Sequence, residues 1–487
     1  MQEETSDGRP SIATGHDSML AIIGGTIIDG NGGAPIKDGM ILIEGKRISI
    51  VADRSTEIPA GAKRIQAQGK FILPGLMYPK ACVLNGSVPD LIRFEGRYDE
   101  VFIEAAQLAL KSGVTTVFDY AGPRDSLIKA RNAINEGHSI GARIYLCGHW
   151  IGCGGLFSPD LLDHSGHDVG EQSFDSAIKH EVARVDPQFR ARTNTLWQAN
   201  VGEALISMPA EQVRNEVRQY VESGIDFVSY LVNCHRLPAY PYIAFSPRVQ
   251  RVIVEEAHRV SLPVQGVFAT TEEGVQMALD AGVDMVVPAP YGGVPLSSQM
   301  LALIAQRGTF VNIEPQTAAE VEWYRGQPPN AQYPGVLTYV ETQEIDHPGM
   351  IRAGVPIVSA GWNTLLSTRL RDLLRSATAA QPVAEMGEGH INAMQALQDK
   401  GMTAMQALMA MTRNVAKAFN IDRDLGTLER GKLADMVILE RNPLESPENF
   451  RAIHLVIKEG RVIDRDGLPQ RRQWSGRAGA HGRWHHP

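Results

Sequence analysis

The feature that most constrains this chain is a strand–helix unit that recurs through its middle. Helical periodicity over residues 100–110 stops at Gly113 and gives way to the β-branched run 114–118. The unit returns as helix 247–260 with strand 262–268, then as 272–281 with 283–287. It appears again as 295–307 with 309–313 and as 348–353 with 355–359. Strands separated by helices enter a sheet in one direction, so they are parallel. This many repeats predict an α/β fold closed as a TIM-like (β/α)8 barrel. With 487 residues the chain has room for a smaller companion to that barrel.

The flanks have a different texture. Short apolar runs (Leu20-Ala21-Ile22-Ile23, Met40-Ile41-Leu42-Ile43, Ile48-Ser49-Ile50-Val51) alternate with turns such as Asp29-Gly30-Asn31-Gly32-Gly33 and Glu44-Gly45, which predicts a small antiparallel unit. After a helical stretch over residues 403–419, strand texture returns over residues 426–439. Strands from both ends of the chain are expected to pair into one small β-sandwich. The expected division is a flexible leader 1–18, sandwich 19–70, barrel 71–425, sandwich 426–467 and a disordered Arg-, Gly- and His-rich tail 468–487.

A content of 43% apolar and 21% charged residues is that of a soluble globular protein rather than a disordered one. A formal charge of −8 argues against nucleic acid as a partner. No apolar run approaches the ~20 residues that span a bilayer, so no membrane partner is expected. The leader is polar and acidic, without the basic-then-apolar order of a secretion signal. Four cysteines in so long a chain do not make a disulfide framework, and a cytoplasmic, reducing location is expected.

Three passages carry a resemblance. They are Gly69-Lys70-Phe71-Ile72-Leu73-Pro74-Gly75-Leu76, then Ser112-Gly113-Val114-Thr115-Thr116-Val117-Phe118-Asp119, then residues 426–439 with Asn442-Pro443-Leu444 and Val456-Ile457-Lys458-Glu459-Gly460-Arg461-Val462. In this order they resemble the metal-dependent amidohydrolase superfamily, in its imidazolonepropionase-like and prolidase-like branch, over roughly residues 20–465. The resemblance implies hydrolysis of carbon–nitrogen bonds other than peptide bonds, and a tendency to oligomerise. It also implies one or two divalent metals, held by imidazoles and carboxylates at the C-terminal strand ends, that supply hydroxide.

The implied ligand positions do not hold such residues. The His-x-His pair after the Pro-Gly-Leu turn is here Lys80-Ala81-Cys82, and the metal-bridging lysine of the fourth strand is Ser229. Val267 and Pro288 stand at the histidines of the fifth and sixth strands, and Trp362 at the aspartate of the eighth. A slipped register restores nothing, because between His235 and His347 the only histidine is His258, inside a helical run. Of Lys80, Cys82, Ser229, Val267, Pro288 and Trp362 only Cys82 can ligate a transition metal, and one thiolate does not make a site. Neither a metal nor another cofactor is expected.

Lys80 is the most suggestive replacement. Its ammonium could occupy the place of the vacated cation, serve as base or amine nucleophile, or pair with a carboxylate such as Asp119 or Glu314. Cys82, with Cys234-His235, invites a thiol–imidazole reading beside that of a small buried cysteine. Asp119 is expected to be structural. Cys147, His149 and Cys153, with His164 and His167, could hold zinc on the third loop, although the same stretch reads as a Gly-rich loop. Ser229, Tyr230, Gln265, Tyr291 and Trp362 are expected to line a pocket. Its proline- and aromatic-rich loops, 237–245 and 288–293, suit a small apolar or planar ligand, or simply pack against one another. Two functions follow. One is a repurposed, metal-independent enzyme or small-molecule binder centred on Lys80, with Cys82 the second catalytic candidate. The other is an inactive subunit of a paralogous amidohydrolase, within a homo- or hetero-oligomer.

Overall fold

The computed structural model describes residues 19–53, 55–84, 88–158, 185–233, 243–290, 293–326, 336–359 and 389–469. Five strands open the chain: β1 (Met19–Ile27), β2 (Ile36–Glu44), β3 (Arg47–Asp53), β4 (Lys63–Gln66) and β5 (Phe71–Pro74). Eight more run through the middle: β6 (Leu76–Ala81), β7 (Val114–Asp119), β8 (Arg143–Leu146), β9 (Val228–Leu231), β10 (Val264–Ala269), β11 (Met285–Pro288), β12 (Phe310–Ile313) and β13 (Ile357–Ser359). Three close the set: β14 (Met436–Leu439), β15 (Ile453–Lys458) and β16 (Arg461–Val462).

The two chain ends share one sheet in the order β16-β15-β14-β5-β1-β2-β3, with β4 beside β1. The join is β14 antiparallel to β5, from Met436 opposite Pro74 to Leu439 opposite Phe71. Alternating apolar residues bury one face. Ile48 on β3 and Ile457 on β15, far apart along the sheet, share a core with Ile22, Ile43, Met436 and Ile438. The sheet therefore curls back on itself, and Arg47 bridges Leu433. Where the sequence suggests a sandwich, the hydrogen bonding is that of a single curled sheet. Phe71–Pro74, assigned by sequence to the barrel, belongs to this sheet, and the parallel strands begin at Leu76.

The middle strands form two all-parallel arcs, β6-β7-β8 and β13-β12-β11-β10-β9. Ile151, just past β8, bridges Tyr230 on β9, and β13 lies beside β6. Local chemistry delimits the helices between them. In Glu272–Ala281 the Thr271 hydroxyl accepts from the Gly274 N–H at 3.1 Å, and Gly282 ends the helix in the left-handed region at φ 91°, where glycine carries no Cβ penalty. The expected helix 348–353 is the end of a longer one, Val336–Arg352, that runs through Pro348. Burial of Val340, Thr342, Gln343, His347 and Met350 outweighs the hydrogen bond that the proline removes. The expected helix 403–419 is two, Ala404–Ala410 and Arg413–Ala418, because the Met411 carbonyl turns to accept from the Met77 N–H on β6. From there Phe419 stacks on Phe118 with ring centroids 4.0 Å apart, and Phe118 stacks on Tyr145.

Ions tie the curled sheet to the parallel strands. Arg143 at the start of β8 reaches Asp435 at 3.3 Å and Glu459 at 2.9 Å, and Lys46 reaches Glu459 at 2.7 Å. Burial alone would raise the Glu459 carboxyl. The Lys46 hydrogen bond and the charges of Arg143 and Lys458 outweigh it and hold the group at about 2. A depressed carboxyl stabilises the fold above its ordinary pKa of 4.5 and loses that contribution as pH falls toward about 2. Arg143→Met strips Asp435, whose side chain is 3% exposed, of its guanidinium. The expected loss is about 3–5 kcal/mol in urea unfolding at pH 7. The acid limb of the stability profile should flatten in the variant, and an unchanged limb would place the titration elsewhere.

Candidate functional site

Strand alternation sorts the candidates into two sides. The Tyr230 hydroxyl donates to Gln250 Oε1 at 2.9 Å on the helix Pro247–Arg259, so Tyr230 faces the helices. This corrects its expected place in the pocket. Its neighbour Ser229 faces the other way and accepts from Gln265 Nε2 at 2.6 Å, the residue directly paired with it in the sheet. Ser229 and Gln265 therefore both face the interior of the parallel strands. Val267, two residues beyond Gln265, lies in register with Leu231 and Val287, which makes an apolar row on three adjacent strands. Pro288 ends β11 and pairs with Ala269.

The centre of the site is an ion pair. Lys80 Nζ lies 2.9 Å from Glu314 Oε2, and the two side chains are only 10% and 6% exposed. Glu314 immediately follows β12, and Asn312 precedes it by two residues. The Lys80 ammonium also stands over the Tyr120 ring, 5.3 Å from its centroid. From Tyr120 an aromatic wall continues to Trp150 at 5.2 Å and from Trp150 to Phe268 at 5.2 Å. Phe268 holds a left-handed backbone at φ 55°, a conformation costing on the order of 1–3 kcal/mol for such a residue and concentrated at functional sites.

Asp119 is not the partner of Lys80. It lies with Ala81 and Val117 against Phe102, Ala105 and Leu127 of the neighbouring helices, and its carboxylate accepts the N–H groups of Val83 and Ala121, both at 3.2 Å. Burial raises its carboxyl to about 7 against the opposing pull of those two donors. It ties the end of β7 to the chain leaving β6, the structural role expected of it.

Cys82 is buried with its thiol toward the Ala121 carbonyl. Burial first, then the charge of Asp119, pushes that thiol well above its ordinary range, so the thiolate a nucleophile needs is suppressed. The Cys147 thiol, likewise raised by burial, donates to the Tyr120 carbonyl at 2.9 Å. His149 Nε2 lies 3.1 Å from the Cys153 carbonyl and 2.9 Å from that of Gly154, contacts that require it to carry the proton. Burial drops its pKa to about 4. The Cys147 thiol and the His149 imidazole are thus occupied with backbone carbonyls. Among the described residues no three His, Cys, Asp or Glu side chains group as a metal site would need. Tyr291, Trp362, Cys234, His235, His164 and His167 lie outside the described residues. His258 sits on the outer side of its helix, 2.9 Å from Asp284.

The described residues at the implied ligand positions do not fit a divalent metal. At the ligand positions stand an ammonium, a thiol held protonated, a hydroxyl bonded to an amide, a valine and a proline, and an ammonium repels the cation it would have to share the space with. Tyr120, Trp150, Phe268 and Asn312 were missed by sequence reasoning. Their signal was position: Tyr120 directly follows β7, Trp150 lies four residues past β8 and Phe268 is near the end of β10, where barrel sites are built.

A model of the amidohydrolase family matches residues 95–463. The chain belongs to the amidohydrolase family. Among solved structures it is similar to molinate hydrolase, with 31% identity and a TM-score of 0.84 over 96% of this chain and 100% of that one. It is also similar to phenylurea hydrolase B, with 29% identity and a TM-score of 0.81 over 93% and 98% of the two chains. Ochratoxinase of Aspergillus niger is 24% identical over 384 residues, 74% of this chain and 67% of the relative. No helix among the described residues is long and apolar enough to cross a membrane.

Because the pair is buried, removing either partner strands the other charge. Lys80→Met and Glu314→Leu should each lower stability by about 3–5 kcal/mol. The double variant should lose well under the sum, since no charge is then left behind. Urea unfolding of the four proteins decides it, and additive losses would mean that the two groups do not interact.

Proposed function

We propose that this chain binds a small, planar, carbonyl-containing molecule at the C-terminal mouth of a closed (β/α)8 barrel and hydrolyses its carbon–nitrogen bond without a divalent metal. Closure is supported by two parallel arcs, eight strands in all, that adjoin at both seams. The observation that carries the function is the Lys80–Glu314 pair, set at a metal-ligand position and walled by Tyr120, Trp150 and Phe268. Aromatic walls suit a flat apolar body, and the pair supplies one cation and one base.

Glu314 takes a proton from water as the water oxygen bonds to the substrate carbonyl carbon, and Lys80 holds the oxyanion that forms. As the carbon–nitrogen bond breaks, Glu314 returns that proton to the leaving nitrogen. Cys82 has no part in this, because its thiol stays protonated. The similar proteins named as hydrolases of molinate and of phenylureas, and ochratoxinase, support a hydrolytic reading. A mouth without use could be filled by apolar side chains at no loss of stability, which favours this reading over an inactive partner subunit. Free thiols at Cys82 and Cys147 suit a reducing, cytoplasmic location.

The test is elemental analysis of protein purified without added metal, combined with turnover of a panel of aromatic amides and ureas in excess chelator. Substoichiometric metal, turnover indifferent to chelator and a drop of roughly 100-fold or more in Glu314→Gln are expected. A stoichiometric divalent metal whose removal abolishes turnover would overturn the proposal.

A further inference from the structure

Between β12 and the helix Ala318–Arg325 lies the stretch Glu314-Pro315-Gln316-Thr317, and its first residue is the base. The proline removes one backbone donor, and the carbonyls on either side of it are met by side chains. Gln316 Nε2 donates to the Glu314 carbonyl at 2.8 Å, and Lys400 Nζ donates to the Gln316 carbonyl at 2.7 Å. Lys400 directly follows the helix Gly389–Asp399, and its own N–H donates to the Ala396 carbonyl at 3.1 Å, so its stem leaves from a fixed point. The Lys400 side chain is 4% exposed, and its ammonium lies 2.8 Å from Glu344 Oε1 on the helix Val336–Arg352. The helix before Lys400 grips the stretch a second time. Asn392 Nδ2 donates to Glu320 Oε1 at 3.2 Å, and Glu320 closes the capping box on Thr317.

A buried ammonium at such a place is weak evidence for stability, since an apolar side chain of similar volume would often serve as well. What the ammonium does that an apolar chain cannot is to fix the Gln316 carbonyl. Through the Gln316 side chain it then fixes the carbonyl of Glu314. We infer that Lys400 is a positioning residue, which acts through Gln316 to aim the Glu314 carboxylate and does not itself touch the substrate. The inference rests on the reading of Glu314 as the base. Rates are steep in such aim, with about 100-fold lost for a misplacement of about 1 Å.

Steady-state kinetics on the full chain test it, with the aromatic amide or urea that the unaltered protein turns over. Lys400→Met keeps the length of the stem and removes the donor, and Glu344, with its side chain 34% exposed, is left to water. Its kcat should fall about tenfold or more while KM changes less than about twofold, because Lys80 and the aromatic wall remain. Gln316→Met breaks the relay without removing a charge and should repeat that fall; it stands in for Lys400→Met if the latter does not fold. In a Glu314→Gln background either substitution should change kcat by less than about twofold, since the group being aimed is already gone. A further loss of about tenfold on that background, or an unchanged kcat in the single variants, would overturn the inference and leave Glu314 as the base. A Glu314→Gln variant as active as the unaltered chain, or an unaltered chain without turnover, would overturn the reading of Glu314, and the inference with it.

Discussion

One buried electrostatic contact organises the candidate site, between Lys80 at the end of β6 and Glu314 just past β12. Two opposite charges taken out of water are tolerated only when each satisfies the other in good geometry. A separation of 2.9 Å, with the Tyr120 ring under the ammonium, meets that demand. The Lys80–Glu314 contact joins the end of β6 to the chain beyond β12, across the intervening β13. Further support comes from behind: Lys400 donates to the Gln316 carbonyl at 2.7 Å, and Gln316 Nε2 donates to the Glu314 carbonyl at 2.8 Å. The carboxylate is therefore fixed both by its partner and by its own backbone.

Much of the fold was legible because it rests on periodicity. The helix at residues 272–281 and the pairing of early and late strands follow from apolar spacing and turn chemistry, signals written in a few neighbouring residues. The long helix through Pro348 was not legible, because its reason is burial of Val340 and His347 by elements remote in sequence. The site divides in the same way. The residues standing at the implied ligand positions could be read one by one, Lys80 among them. Its partner could not be chosen between Asp119 and Glu314 without knowing which side of β7 Asp119 occupies. Tyr230 failed for the same reason, since one step along a strand exchanges interior for exterior, and no local signal marks which neighbour goes inward.

The same one-residue sensitivity limits what a single introduced imidazole could do. Val267, Leu231 and Val287 lie level with one another on adjacent strands. An imidazole introduced at Val267 alone would be surrounded by hydrocarbon and left without a second ligand, while Lys80 remained as a competing cation. The Lys80–Glu314 pair is self-protecting: removing one member leaves a stranded charge, so intermediate sequences are less stable than either end point.

The strain at Phe268 fits the same logic from the opposite direction. A phenylalanine with φ 55° could relax if its ring were free to leave, yet Trp150 holds it edge-on at 5.2 Å and Trp150 in turn lies against Tyr120. The ring beneath Lys80 and the strained residue are thus the two ends of one aromatic series. Straightening the backbone at Phe268 would move the far wall of the mouth, and through Trp150 it would shift Tyr120 from under the ammonium. Wall and ion pair are one mechanical unit, which is what a site must be if the position of Glu314 against a bound carbonyl is to be fixed before the ligand arrives.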